Sequence, residues 1–223
     1  MVKIKICGIT TEEDCEIMNC YQPDYCGFVF AGSKHKLTDQ KAAGLRNLLK
    51  MDIPAVGVFV NEPIAHIMAL YQAGIIQIIQ LHGAEDNEYI QKLYKKIQTS
   101  EEKDITTLQE KGKGLQIIKA IRAENTKKIE EAEKMQCDML LIDTYDKNIA
   151  GGTGKKIDVK MIPKMHKPYI IAGGINAENM TEIMKQTDPY AIDISSGAET
   201  DGHKDWHKIE KIMYGIDRYN RKI

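Results

Sequence analysis

The sequence predicts an α/β fold, a single-domain (β/α)8 TIM barrel over residues 1–223. Three observations predict it. Eight short apolar runs recur along the chain, longer stretches with helical spacing separate them, and 223 residues suit eight such units. Near-continuous apolar strands alternating with helices mean a parallel sheet covered on its faces. A doubly wound open sheet shares the local pattern, but eight units close naturally into a barrel.

The elements follow in order. Lys3–Cys7 is the first strand, and Thr10-x-x-Glu13 after it reads as a capping box opening a helix. Tyr25–Phe30 is the second strand, with Thr38 as the N-cap of the next helix. Ala55–Val60 is the third, followed by the helical spacing Ile64-Ile67-Met68-Tyr71. Ile75–Leu81 is the fourth, followed by Ile90-Leu93-Tyr94-Ile97. Residues 99–114, TSEEKDITTLQEKGKG, are polar and charged and read as a solvated insertion or an extended helix. Leu115–Ala120 and Met139–Asp143 are the fifth and sixth strands. Residues 144–157, TYDKNIAGGTGKKI, form a long Gly-rich loop; long loops in compact domains are commonly functional, and this one follows a strand's C-terminal end. Tyr169–Ala172 is the seventh strand with Asn176 as a following N-cap, Ala191–Ile194 is the eighth, and Asp205–Tyr219 reads as a closing helix.

Composition excludes several classes of function. A net charge of −1 gives no general electrostatic case for nucleic acid or an anionic membrane surface, so any anion site is local. No apolar run approaches the roughly 20 residues of a membrane span. Five irregularly spaced cysteines make no disulfide framework, and no CxxC pair or HExxH helix points to a metal. With no leader ahead of the first strand, a reducing cytoplasm is the expected location.

Barrel chemistry is built where strands end. Cys7 ends the first strand, and Gly8 lets the chain turn sharply after it. A free thiol there is mostly protonated at neutral pH unless a nearby positive group lowers its pKa. Its position at a strand end makes it a catalytic candidate beside the plain reading of a small buried hydrophobe. Asp143 closes the uniformly apolar Met139-Leu140-Leu141-Ile142, where partial desolvation favours the protonated form and a general-acid role. The loops Gly173-Gly174-Ile175-Asn176 and Ser195-Ser196-Gly197 follow strands seven and eight, where barrels often bind phosphate. His82 follows strand four as a candidate substrate contact, with a satisfied structural histidine as its alternative.

Together these stretches resemble one family. KICGIT (5–10), GFVF (27–30), VGVFVNE (56–62), QLHG (80–83), IKAIR (118–122), LLIDTYD with GGTGK (140–155), AGGIN with Asn179, and DISSGAET with GHKD (193–205) resemble phosphoribosylanthranilate isomerase, in family order. The resemblance implies a (β/α)8 barrel that isomerises a small-molecule phosphoribosyl substrate by acid–base catalysis, without metal or organic cofactor, as a monomer or homodimer. It implies Cys7 as general base and Asp143 as general acid, with Gly173, Gly174, Ser196 and Gly197 holding the phosphate.

One departure stands out. The family usually reads Ser-x-Arg after strand two, and that arginine grips the anthranilate carboxylate. Here the stretch is Ser33-Lys34-His35-Lys36. Histidine lacks the planar bidentate fork of arginine, so Lys34 or Lys36 becomes an alternative source of charge. That change leaves room for a sister phosphosugar isomerase or epimerase on the same scaffold, or for a phosphometabolite-binding barrel.

Overall fold

The computed structural model describes residues 1–32, 34–101, 116–143 and 159–221. Eight parallel strands close into a barrel in chain order, β1 pairing with both β2 and β8. They are β1 Lys3–Cys7, β2 Tyr25–Val29, β3 Ala55–Phe59, β4 Ile78–Leu81, β5 Gln116–Arg122, β6 Met139–Asp143, β7 Tyr169–Ala172 and β8 Ala191–Ile194. A small antiparallel pair, β9 Glu199–Thr200 and β10 His203–Lys204, follows β8. The helices are α1 Glu12–Tyr21, α2 Asp39–Leu48, α3 Ile64–Gln72, α4 Asn87–Glu101, α5 Thr126–Ala132, α6 Met180–Thr187 and α7 Trp206–Asn220.

Strand periodicity divides the apolar residues into two cores. Ile4, Ile6, Phe28, Phe59, Ile79, Leu140, Ile142, Ile171 and Ile192 pack outward under the helices. Val56, Ile78, Ile118, Ala120, Leu141 and Ile170 fill the barrel interior. Position 143 continues the inward set of β6, as position 7 continues that of β1. The alternation thus carries both ionisable groups to the mouth of the cylinder.

Four local expectations shift for physical reasons. The first capping box is Thr11 with Asp14, one residue later than Thr10 with Glu13. That register buries Asp14, whose carboxylate accepts from the backbone N–H of both Thr10 and Thr11, and leaves Glu13 exposed. The fourth strand begins at Ile78 because Ile75 still terminates α3, its N–H donating to Leu70 O. An apolar run cannot by itself separate a helix's closing contact from a strand. The fifth strand runs on to Arg122, two residues beyond the apolar run, in register with Asp143. Asn176 caps the turn leading into α6, its Oδ1 accepting from Glu178 and Asn179 N–H, while Asn179 occupies the N-cap. Thr38 and Asp205 cap α2 and α7 through their side chains. The polar segment 99–114 begins inside α4 and then, like the Gly-rich loop 144–157, lies outside the described residues.

Candidate active site

A cavity of about 360 Å³ opens at the C-terminal ends of the strands. Cys7 and Asp143 both line it, and so do His82, Gly173, Gly174 and Ser196. These are six of the ten site residues that the sequence singles out. The two glycines hold φ of +99° and +63°, a left-handed geometry that bends the chain after β7 around the cavity wall. Gly197 does not line the cavity. A β-carbon there would collide with the carbonyl of Ile175, so this residue lets the loop after β8 close against the loop after β7.

Lys34, His35 and Lys36 stand apart from the cavity lining. His35 is buried against Gly8, with Nε2 3.1 Å from Glu199 Oε1. Burial, aided by Lys204 and Lys34, holds its pKa below the ordinary histidine value despite the pull of Glu199. Lys34 Nζ donates to Glu199 Oε2 at 2.8 Å, and Lys36 is exposed beside its backbone bridge to Val29. Glu199 is therefore the hub joining the loop after β2 to β10. It also accepts from the buried Lys204 at 2.8 Å, and Lys204 N–H donates to Asp14.

Cys7 is nearly buried, and burial pushes its thiol pKa up. Lys5, two residues earlier on the same face of β1, opposes that shift through its positive charge. Lys5 is fully buried, and its Nζ donates to Asp193 Oδ2 at 2.9 Å across the β1–β8 register. Asp193 lines the cavity, and its Oδ1 is buried without a hydrogen-bond partner among the described residues. On the opposite rim, His82 Nε2 lies 3.5 Å from Asp143 Oδ2, and Gln80 Nε2 lies 3.0 Å from His82 Nδ1.

The loop carrying His82 is fixed from outside the cavity. Buried Lys119 donates to Gly83 O and Glu85, and Glu85 accepts from the N–H groups of Asn61 and Gly83. Those bonds hold the Glu85 pKa below the ordinary carboxylate value despite burial.

Sequence reasoning passed over Lys5, Asp193 and Glu199. The signal for Lys5 and Asp193 was present. In KIKIC and AIDI the period of 2 puts each charge on the inward face, where an apolar residue is the ordinary occupant. Among the described residues no group of three or more His, Cys, Asp and Glu could hold a metal ion. No helix of the described residues is long and apolar enough to cross a membrane.

A closed parallel barrel whose mouth gathers a thiol, a carboxyl group and two adjoining turns defines a class, the acid–base (β/α)8-barrel enzymes of small-molecule metabolism. Comparison with known proteins narrows it. The model of the family described as N-(5'phosphoribosyl)anthranilate (PRA) isomerase matches residues 4–111 and 97–214. The N-(5'-phosphoribosyl)anthranilate isomerase of Clostridium acetobutylicum is 40% identical over 223 residues, covering 98% of this chain and 100% of that protein. A crystal structure of phosphoribosyl anthranilate isomerase from Thermotoga maritima superposes with a TM-score of 0.80 at 28% identity, covering 98% of this chain and 100% of that one. A phosphoribosyl anthranilate isomerase in complex with reduced 1-(o-carboxyphenylamino)-1-deoxyribulose 5-phosphate superposes with a TM-score of 0.75 at 26% identity, with the same coverage. This chain belongs to the phosphoribosylanthranilate isomerase family.

Proposed function

We propose that this protein converts N-(5-phosphoribosyl)anthranilate to 1-(2-carboxyphenylamino)-1-deoxyribulose 5-phosphate, with Asp143 as general acid and Cys7 as general base. The observation that carries the assignment is that both side chains line one cavity from well-separated strands, β6 and β1. An acid and a base acting on opposite sides of a pentose need that separation.

Asp143 gives its proton to the furanose ring oxygen. The C1–O bond breaks, and the anilino nitrogen lone pair forms the iminium. Cys7, as thiolate, takes the proton from C2, and the electron pair flows into an enolamine. Protonation at C1 and loss of the C2 hydroxyl proton complete the aminoketose. Each group contributes about 10²–10⁴ in rate. The turns at Gly173-Gly174 and Ser196 bind the phosphate, tethering the sugar so that both groups reach it. Gly197 supports that site through packing. His82 contacts the substrate from the rim beside Asp143. The substrate carboxylate lies toward the loop after β2, where Lys34 and Lys36 supply the local charge and His35, its pKa lowered by burial, contributes shape and hydrogen bonding. The five cysteines are free, and a thiol base of this kind suits a reducing compartment such as the cytoplasm.

The test is to supply freshly made phosphoribosylanthranilate and follow loss of its fluorescence. Wild-type protein gives rapid turnover, and Asp143→Asn and Cys7→Ala each nearly abolish it while remaining folded. Near-normal rates in either variant overturn the role given to that residue.

A further inference from the structure

The proposed mechanism leaves two buried charges without a task. Lys5 and Asp193 face each other across the β1–β8 pair inside a cylinder filled largely by apolar side chains. Stability alone is a weak reason for such a pair. Burying two ions costs several kcal/mol each, and a well-packed apolar pair often serves as well or better. Their location is also specific. Lys5 is one inward step below Cys7 on the same strand, and Asp193 borders the cavity that Cys7 lines.

We propose that Lys5 is the positioning residue of the Cys7 base: its ammonium, held by Asp193, sits beneath the sulfur and neutralises the thiolate as it forms. The inference rests on the assignment of Cys7 as base and extends it by naming the source of the negative charge's stability. Among the described residues, the charged or titratable groups that act on the sulfur are Lys5 on its own strand, Asp193 on β8, Lys204 on β10 and Cys26 on β2. Lys5 and Lys204 favour the thiolate, and Asp193 disfavours it. Lys5 acts on the sulfur more strongly than Lys204, whose ammonium is held by Glu199 and the carbonyl of Ser195.

The arrangement does more than lower a pKa. With Asp193 on one side, the ammonium is already held in place in the resting protein, before the sulfur gives up its proton to solvent. The cation is oriented in advance, so no reorganisation is needed when the sulfur ionises. Lysine suits this place because a compact ammonium can donate to two partners at once.

The sign of two substitutions separates this role from simple packing. Lys5→Met keeps most of the volume and removes the cation. Asp193→Asn keeps the shape and removes the anion that competes for that cation. The experiment is alkylation of Cys7 by iodoacetamide from pH 7 to 10, read by mass spectrometry of the Cys7 peptide, so it does not depend on turnover. Lys5→Met is expected to slow alkylation at pH 8.5 at least about tenfold, with the rate recovering as pH rises. Asp193→Asn is expected to speed it at least about threefold, and Lys5→Arg to stay near wild type. In turnover, Lys5→Met is expected to lower kcat about 10²-fold or more, with KM within a few-fold.

Alkylation profiles unmoved in both variants, or moved in the same direction, overturn the proposal. If Lys5→Met does not fold, Asp193→Asn and Lys5→Arg carry the test alone, and an unmoved or slowed Asp193→Asn rejects it. Failure of the wider mechanism reads differently: Cys7→Ala then retains turnover, whatever the alkylation profiles show.

Discussion

Gly27 lies directly beside Cys7 in the β1–β2 register, and a β-carbon at position 27 would stand 2.5 Å from the Cys7 sulfur. The missing side chain makes the space in which the thiol sits. Gly27→Ala must displace either the sulfur or the β1 backbone. Such overpacking costs about 1–3 kcal/mol, and a misplacement of roughly 1 Å can cost 10²-fold in rate. The expected outcome is a fall in kcat of at least about tenfold beyond any loss of stability. Gly57→Ala is the control, because its β-carbon would press on Phe59 and Ile76, away from the site. It should lower the melting temperature and leave kcat nearly unchanged. Equal effects of the two variants on kcat would count against a placed thiol.

A second prediction concerns the acid. The amide nitrogen of Gln80 can only donate, so His82 Nδ1 accepts, and the ring proton then sits on Nε2, facing Asp143 across 3.5 Å. That proton steadies the carboxylate once Asp143 has protonated the ring oxygen. A hydrogen bond to a charged group contributes about 1.5–3 kcal/mol, and at this length the lower end applies. His82→Ala should therefore cut kcat about tenfold. Gln80→Leu, which removes the tautomer control, should act in the same direction with a smaller effect on KM than on kcat. Steady-state kinetics that leave kcat intact in both would reject this role.

Much of the architecture is legible in the sequence. Every strand was marked by a short run rich in apolar residues, because a parallel strand buried on both faces is mostly apolar, with KIKIC as the mixed case. Residues Cys7, His82, Asp143, Gly173, Gly174 and Ser196 could be placed at one mouth from strand ends alone. The polar interior was harder to foresee. The period of 2 in KIKIC sets Lys5 opposite the outward-packed isoleucines, a signal that is legible once the predicted barrel is used to decide which face points inward. Glu199 was hidden for another reason. Its partners Lys34 and His35 come from the loop after β2 and Lys204 from β10, an approach that no local pattern encodes.

The stretch after β2 yields a third prediction. His35 is turned toward Glu199 and Gly8 and is not part of the cavity wall. An arginine at this position brings the planar bidentate fork for a carboxylate that histidine lacks, on a longer side chain. His35→Arg is thus expected to lower KM several-fold for phosphoribosylanthranilate, with kcat within about threefold. A KM that stays level or rises in initial-rate measurements would place the substrate carboxylate elsewhere.

The last prediction concerns acid stability and follows from the hub at Glu199. Hydrogen bonds and charge from Lys204, Lys34 and His35 overcome the cost of burial and hold its pKa at about 2, against an ordinary value of 4.5. The folded value is the lower one, so the unfolded chain binds the proton more readily. The resulting stability is complete above about pH 4.5 and is lost as pH falls toward 2. The difference in pKa corresponds to about 3 kcal/mol. In Glu199→Gln the buried Lys204 loses its counter-charge, so the variant should be less stable at pH 7 by a similar amount, or about 6–12 °C in melting temperature. The gap between variant and wild type should close steadily as pH falls from 4.5 to 2, because protonation removes from the wild type the same charge the substitution removes. Paired denaturant melts across that range test it, and a gap that stays constant with pH would show that Glu199 acts through shape and packing, with its charge contributing little.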